Sequence, residues 1–176
     1  MKTMARIFLA LILFALLYSG ALGQSLSGVV NSYYAITAVN PVANTLNVTN
    51  SAGLYSGELV LIIQMKGATI NSANSSSYGD ISAIGDAGNY EFNSICSVNG
   101  NEVVLQNKLL NVYDPTGQVQ LVTYTPYSSV TVASTVNAQP WNSSTGTGGV
   151  VVIAATSSIT LDANVDVSGQ GFEGGV

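Results

Sequence analysis

YEFNSICSVNGNEVVLQ, residues Tyr90 to Gln106, is the stretch whose reading decides the fold class. Two runs rich in aromatic and branched residues, Tyr90–Val98 and Glu102–Gln106, flank the pair Asn99-Gly100. Both of those residues tolerate positive φ, so the pair predicts a tight turn and the whole stretch a β-hairpin.

The same pattern extends in both directions. Toward the N-terminus, Leu59 to Met65 (LVLIIQM) is nearly all apolar, as expected for a strand buried on both faces. Ser56-Gly57 marks a turn before it. Further back, Leu46 and Val48 belong to one alternation and Tyr34, Ile36 and Ala38 to another, with a turn at Asn40-Pro41. Toward the C-terminus, Asp114 to Gly117 (DPTG) is a turn that leads into Val119, Leu121 and Thr123 on one face. Ser129 to Ser134 is a further strand. No segment past residue 23 repeats its apolar residues at a helical period. The expectation is an all-β chain, with residues 24–138 forming an antiparallel barrel or sandwich-like module.

A second region follows the linker-like stretch 139–149. From Ser158 to Ser168 the alternation is strict, with Ile159, Leu161, Ala163, Val165 and Val167 on one face. That predicts one long half-buried strand, or two short ones bent at Ala163-Asn164. Residues 150–176 are expected to start a solenoid-like, glycine-rich β region, whose strands need neighbours to bury their apolar row. If this is a fragment, that row is left partly exposed.

The ends and the composition place the chain. MKTMARIFLALILFALLYSGALG has a short basic start, an apolar run too short to span a bilayer, and small residues before Gln24. It reads as a secretory signal peptide, residues 1–23, leaving no membrane span after cleavage. Beyond it the chain keeps Lys66 and Lys108 against nine carboxylates, a net charge of −7, with no Arg and no His. Nucleic acid is excluded as a partner, because affinity there comes mostly from cations that neutralise phosphates. The remaining roughly 153 residues suffice for one packed domain or one domain and the start of another. Cys96, the single cysteine, has no internal partner and is expected as a small buried hydrophobe.

Several residues invite a chemical reading. Gly169, Gly171 and Gly174 fall at the dinucleotide spacing. That site needs a helix on the third glycine and a βαβ unit around it, and neither is foreseen. No nucleotide and no other cofactor is expected, and the bland reading is a glycine-rich turn after a strand. The long polar segment Gly67–Asn89 carries Asp80 and Asp86. These two could ligate Ca²⁺ or another ligand on a loop, but calcium takes six to eight oxygens and the spacing matches no known loop. A plain solvated loop is the simpler expectation. Without His, a nucleophile–His pair is impossible. A glycosidase needs two facing carboxylates. Glu91, and Asp162 with Asp166, are the candidates. Glu91 between Tyr90 and Phe92 reads as ordinary alternation with a polar outer face. Asp162 and Asp166 lie about 13 Å apart on an extended strand unless the chain bends between them. Trp141, after Pro140, is either an exposed sugar-stacking ring or a plug between the two regions.

One resemblance adds to this. The order ELVLIIQMK (58–66), GATIN (67–71), GNYEF (88–92), YDPTGQVQLV (113–122), PW, TGGV and ITLDANVDVSGQGFEGG (159–175) resembles the N-terminal module of large exported, adhesin-like surface proteins of gliding bacteria with a type IX secretion system. It covers roughly Val30 to Gly175. The resemblance implies a non-catalytic cell-surface or extracellular segment, with an extracellular surface or a polysaccharide as its partner. It also implies that the glycine run opens a longer β region. Two departures stand out: no C-terminal sorting domain, which implies a fragment of a longer protein, and Glu173 where a basic or neutral residue is expected. A secreted carbohydrate-binding module is the alternative.

Overall fold

A computed structural model describes residues 24–172. The signal-like segment and the last four residues, with Glu173, Gly174 and Gly175, lie outside the described residues. The strands run β1 (Gln24–Val29), β2 (Tyr33–Asn40), β3 (Thr45–Val48), β4 (Leu59–Gln64), β5 (Thr69–Ile70), β6 (Ile81–Ala83), β7 (Tyr90–Asn99), β8 (Glu102–Leu105), β9 (Val119–Tyr124), β10 (Pro126–Asn137) and β11 (Ala154–Leu161). The one helical element among the described residues is a 3-10 turn at Pro115–Gly117, capped by the Asp114 carboxylate on the Thr116 amide. No helix there is long and apolar enough to cross a membrane. The all-β expectation holds.

Six strands close into an antiparallel barrel in the order β2-β3-β8-β7-β4-β9. Its interior is filled by Ile36, Leu46, Val48, Val60, Ile62, Ile95, Val103, Leu105, Val119 and Leu121, with Tyr113 closing one side. Each such side chain contributes about 1.5–3 kcal/mol on leaving water. The hairpin at Asn99 forms as expected, but one residue along. Asn99 pairs with Glu102, so the loop is Gly100-Asn101, with Gly100 at φ 58°. Glycine first in a two-residue loop suits a type II′ turn, which the sequence also permitted.

The remaining long strands do something different. β1, β10 and β11 lie side by side and parallel, in the order β1-β10-β11. The expected module 24–138 therefore divides between two sheets: residues 33–124 hold the barrel strands, while β1 pairs with β10 and β10 with β11. The pairing aligns residues in columns. Gln24, Val130 and Ile159 form one; Leu26, Val132 and Leu161 another; Gly28, Val136 and Val165 a third. From β10 to β11 one coil takes 29 residues, the separation between Ser129 and Ser158, whose hydroxyls meet at 3.1 Å. The first coil is far longer because the barrel is inserted in it.

The second and third coils bend together, where β1 also shifts register between Leu26 and Gly28. The amides of Asp162 and Ala163 both donate to the Val132 carbonyl, at 3.1 and 2.9 Å. The Val136 amide donates to Asn164, and the Asp166 amide to Val136. The expected bend near Ala163-Asn164 is thus a stacked corner, and the solenoid-like expectation takes this form. Burial grades along each column. Val130, Val132 and Val136 in the middle coil are 1%, 0% and 0% exposed, whereas Ile159, Leu161 and Val165 are 46%, 64% and 41% exposed. Among the described residues the middle coil has a neighbour on each side and β11 has one.

Candidate functional site

Five polar side chains are buried in the barrel or at its seam, and each holds a stretch of chain that has no strand partner. Gln120 is fully buried. Its Oε1 accepts from the Gly148 amide at 2.9 Å and its Nε2 donates to the Gly148 carbonyl at 3.0 Å. Asn31 holds Val152 in the same two-bond manner, and the Tyr33 hydroxyl donates to Val150 at 2.6 Å. Gln64 accepts from the Asp114 amide and donates to the Lys66 carbonyl. The bonds from Gln120, Asn31 and Tyr33 dock the stretch expected as a linker, 139–149, and its continuation as a strap against the barrel. Gly148 is required there: at φ 102°, a Cβ would stand 2.5 Å from the Pro140 carbonyl oxygen.

The other two pegs, Glu91 and Asn93, set up the face of most functional interest. β8 pairs with β7 only from Ile95 onward. The free edge before that is met by the irregular segment 106–112, whose backbone needs partners. Glu91 Oε2 accepts from the amides of Leu110 and Asn111, at 2.8 and 3.3 Å. Asn93 accepts from the Asn107 amide and donates to its carbonyl. Both side chains therefore point inward, and Glu91 is 8% exposed. Burial first, and the neighbouring Glu91 carboxylate second, hold the Tyr113 phenol well above the usual tyrosine range.

Alternation then forces Tyr90 and Phe92 outward, at 59% and 57% exposure. The sequence expectation of a polar outer face at Glu91 is reversed: the carboxylate is inside and the rings are outside. The register places Tyr90 beside Ile63, Phe92 beside Leu61 and Tyr124 beside Leu59, all on the outer face of β7-β4-β9. Phe92 meets Tyr90 edge-to-face at 6.4 Å and Tyr124 edge-to-face at 5.6 Å. Phe92 and Tyr124 stand on strands two apart and reach toward each other over β4. Leu61, directly opposite Phe92 on that outer face, is buried.

The residues singled out in the sequence are placed as follows. Trp141 is half-buried and packs edge-to-face on Phe172 at 5.2 Å, while Lys66 lies over the Phe172 ring at 5.6 Å. This trio joins the chain after β11 to the barrel. Phe172 and Lys66 also line a small cleft with Met65, Gly67, Ala68, Ile70 and Ala87. Asp86 is next to Ala87, and its carboxylate accepts from Asn89 at 3.3 Å. Asp80 is exposed. The segment Gly67–Asn89, expected as a plain loop, contains the two-stranded β5-β6 ribbon. Among the described residues no three His, Cys, Asp or Glu side chains gather as a metal set. Asp162 and Asp166 both border the concave corner after β11, since the chain does bend between them. Asp166 is engaged by the Ser168 amide at 2.9 Å, which lowers its pKa.

Cys96 is exposed, not buried. A register shift between Ile95 and Ser97 keeps Ile95 in the core and turns Cys96 out. Gly169 takes φ 67° in a turn, and no helix begins in the residues described after it. Sequence reasoning missed Tyr90 and Phe92 as a site. A signal was present: the apolar phase runs on even positions at Tyr90 and Phe92 and on the odd position at Ile95, so one set must face out.

No family model matches the chain, and no curated protein matches it at a significant level. Two solved phage tailspikes are similar in structure. One is the Gp54 tailspike of Acinetobacter baumannii bacteriophage AP22, solved in complex with A. baumannii capsular saccharide, at 13% identity and TM-score 0.38 over 65% of this chain. The other is the tailspike protein gp49 from Pseudomonas phage LKA1, at 18% identity and TM-score 0.38 over 68% of this chain. The chain spans only 18% and 21% of their lengths. A likeness at this level says nothing of activity or ligand.

Proposed function

We propose that this chain is a non-catalytic, exported segment of a cell-surface or extracellular protein, with a structural and adhesive role. The observation that carries the reading is the graded burial of the parallel stack. β11 and the chain after it offer a backbone edge and the row Ile159, Leu161, Val165 and Val167, of which the first three are in register with the buried Val130, Val132 and Val136. Such a face is matched to a further strand laid on it, because terminal coils without a polar cap leave their apolar row in water. Supporting features are the signal-like start, the scarcity of charge, the absence of His, and the resemblance to N-terminal modules of type IX-exported surface proteins. The buried carboxylate Glu91 already accepts two backbone amides at Oε2, which favours a holding role over proton transfer.

The test is surface display. An antibody to residues 24–138 is applied to intact cells, protease-shaved cells and medium. Signal at the surface or in the medium, in a species larger than 176 residues account for, is the expected result. Antigen confined to the cytoplasm refutes export, and a free species of this chain alone refutes the extended stack. A secreted carbohydrate-binding module is the second reading, favoured by the exposed aromatic face.

A further inference from the structure

We propose that the outer face of β7, β4 and β9 is a binding ridge for a neutral polysaccharide, with Tyr90, Phe92 and Tyr124 as the rings on which successive sugars rest. The inference does not depend on where the chain is displayed, since binding is read on purified protein.

Three properties of the ridge point to this occupant. The first is the inversion itself. An apolar patch on the surface is informative where polar groups lie buried beside it, and here two aromatic rings face water while Glu91 and Asn93 face the core. The second is charge. The cross-strand neighbours Ile63, Leu61, Leu59 and Ser94 are uncharged. The nearest carboxylate in sequence, Glu91, is turned inside. An acidic glycan would need cations, and beyond residue 23 the sequence has only Lys66 and Lys108. The third is size. An aromatic side chain carries about 150–250 Å², so three partly exposed rings offer roughly 200–350 Å². The whole still falls short of the about 800 Å² per partner of a stable protein interface. A narrow, uncharged ridge fits a thin ligand better than a folded partner.

The chemistry is complementary. An aromatic face carries negative quadrupole density, and the C–H face of a pyranose presents weakly positive hydrogens to it. The hydroxyls of Tyr90 and Tyr124 and of Ser94 supply polar tips for sugar hydroxyls. Edge-to-face packing and strand backbones hold the rings before any ligand arrives, so little side-chain freedom is lost on binding.

The test is affinity electrophoresis of the purified chain in gels carrying dextran, barley β-glucan or galactomannan, with an alginate gel as the anionic comparison. Retardation in at least one neutral gel is expected, and Tyr90→Ala and Phe92→Ala each weaken it roughly tenfold. Phe92→Tyr, which keeps a ring over Leu61, retains it. Thermal melting accompanies each variant; if Phe92→Ala destabilises the fold by uncovering Leu61, Tyr90→Ala at the end of the row carries the test. No retardation in any neutral gel, retardation in alginate alone, or unchanged retardation in the Tyr90→Ala/Phe92→Ala double variant overturns the proposal.

Discussion

Replacing Gln120 with Met isolates what one buried amide contributes. Met has nearly the same length and volume, so the buried space at position 120 stays filled while both hydrogen bonds to Gly148 vanish. Gly148 is itself buried, and the Pro140 carbonyl crowds its Cα, so water does not reach the freed groups. Each unpaired buried backbone group costs about 1–3 kcal/mol. Two of them, less a small gain from burying a thioether, come to about 2–5 kcal/mol. That is a large share of the 5–15 kcal/mol that stabilises a typical domain. At about 2–4 °C per kcal/mol for a chain of this size, the melting temperature falls by roughly 4–20 °C. Far-UV circular dichroism reads the melt, and hydrogen exchange reads the Gly148 amide, which should exchange faster than in the parent. A fall of less than about 2 °C, or an unchanged Gly148 amide, refutes the idea that Gln120 anchors the strap.

The other predictions are separable from that one. Glu91→Gln keeps an acceptor for the Leu110 and Asn111 amides and is nearly neutral, whereas Glu91→Ala costs about 2–4 kcal/mol and speeds exchange of those two amides; equal effects would refute the pegging role. Val132→Ala, in a fully buried column position, costs about 2 kcal/mol, while Leu161→Ala in the same column costs under about 1 kcal/mol; matched losses in chemical denaturation would show that β11 is already covered. Asp114 has its pKa lowered by the Thr116 hydroxyl and then the Thr116 amide. Its contribution is therefore present above the ordinary carboxylate range near about pH 4 and is lost as pH falls through the depressed value. Asp114→Asn should flatten that part of the melting-temperature profile, and an unchanged acid limb would refute it. Trp141 emission should be blue-shifted, insensitive to the polysaccharides above, and red-shifted by Phe172→Ala; a ligand-dependent shift would move the binding site to Trp141.

Much of the architecture could be read residue by residue. The nearly all-apolar run at Leu59–Met65 supplies β4: Val60 and Ile62 face the barrel core, while on the other face Leu61, opposite Phe92, is buried and Leu59 and Ile63 are half-buried. The alternation at Val119, Leu121 and Thr123 is the inward face of β9. The row Ile159, Leu161, Val165 and Val167 is as exposed as an unpaired stack edge requires. What could not be read was long-range pairing. β10 follows β9 after a single residue, yet it pairs with β1, about a hundred positions earlier, and nothing local distinguishes it from a seventh barrel strand. Glu91 failed for a related reason. Its orientation is set by Leu110 and Asn111, whose need for hydrogen-bond partners arises only once β8 has stopped short of the β7 edge.

By itself, then, the order of residues determined the β class, the turns, the signal-like start, the poverty of cations and the presence of an apolar row in search of neighbours. These follow from local sterics and side-chain alternation, which act over a few residues at a time. The tertiary structure alone decided that the barrel is inserted within the first coil of a parallel stack, that buried Gln and Asn side chains hold irregular chain in place of strands, and that Tyr90 and Phe92 face solvent. Those outcomes depend on which distant backbone groups are left without partners after the sheets form, and no short-range pattern encodes that.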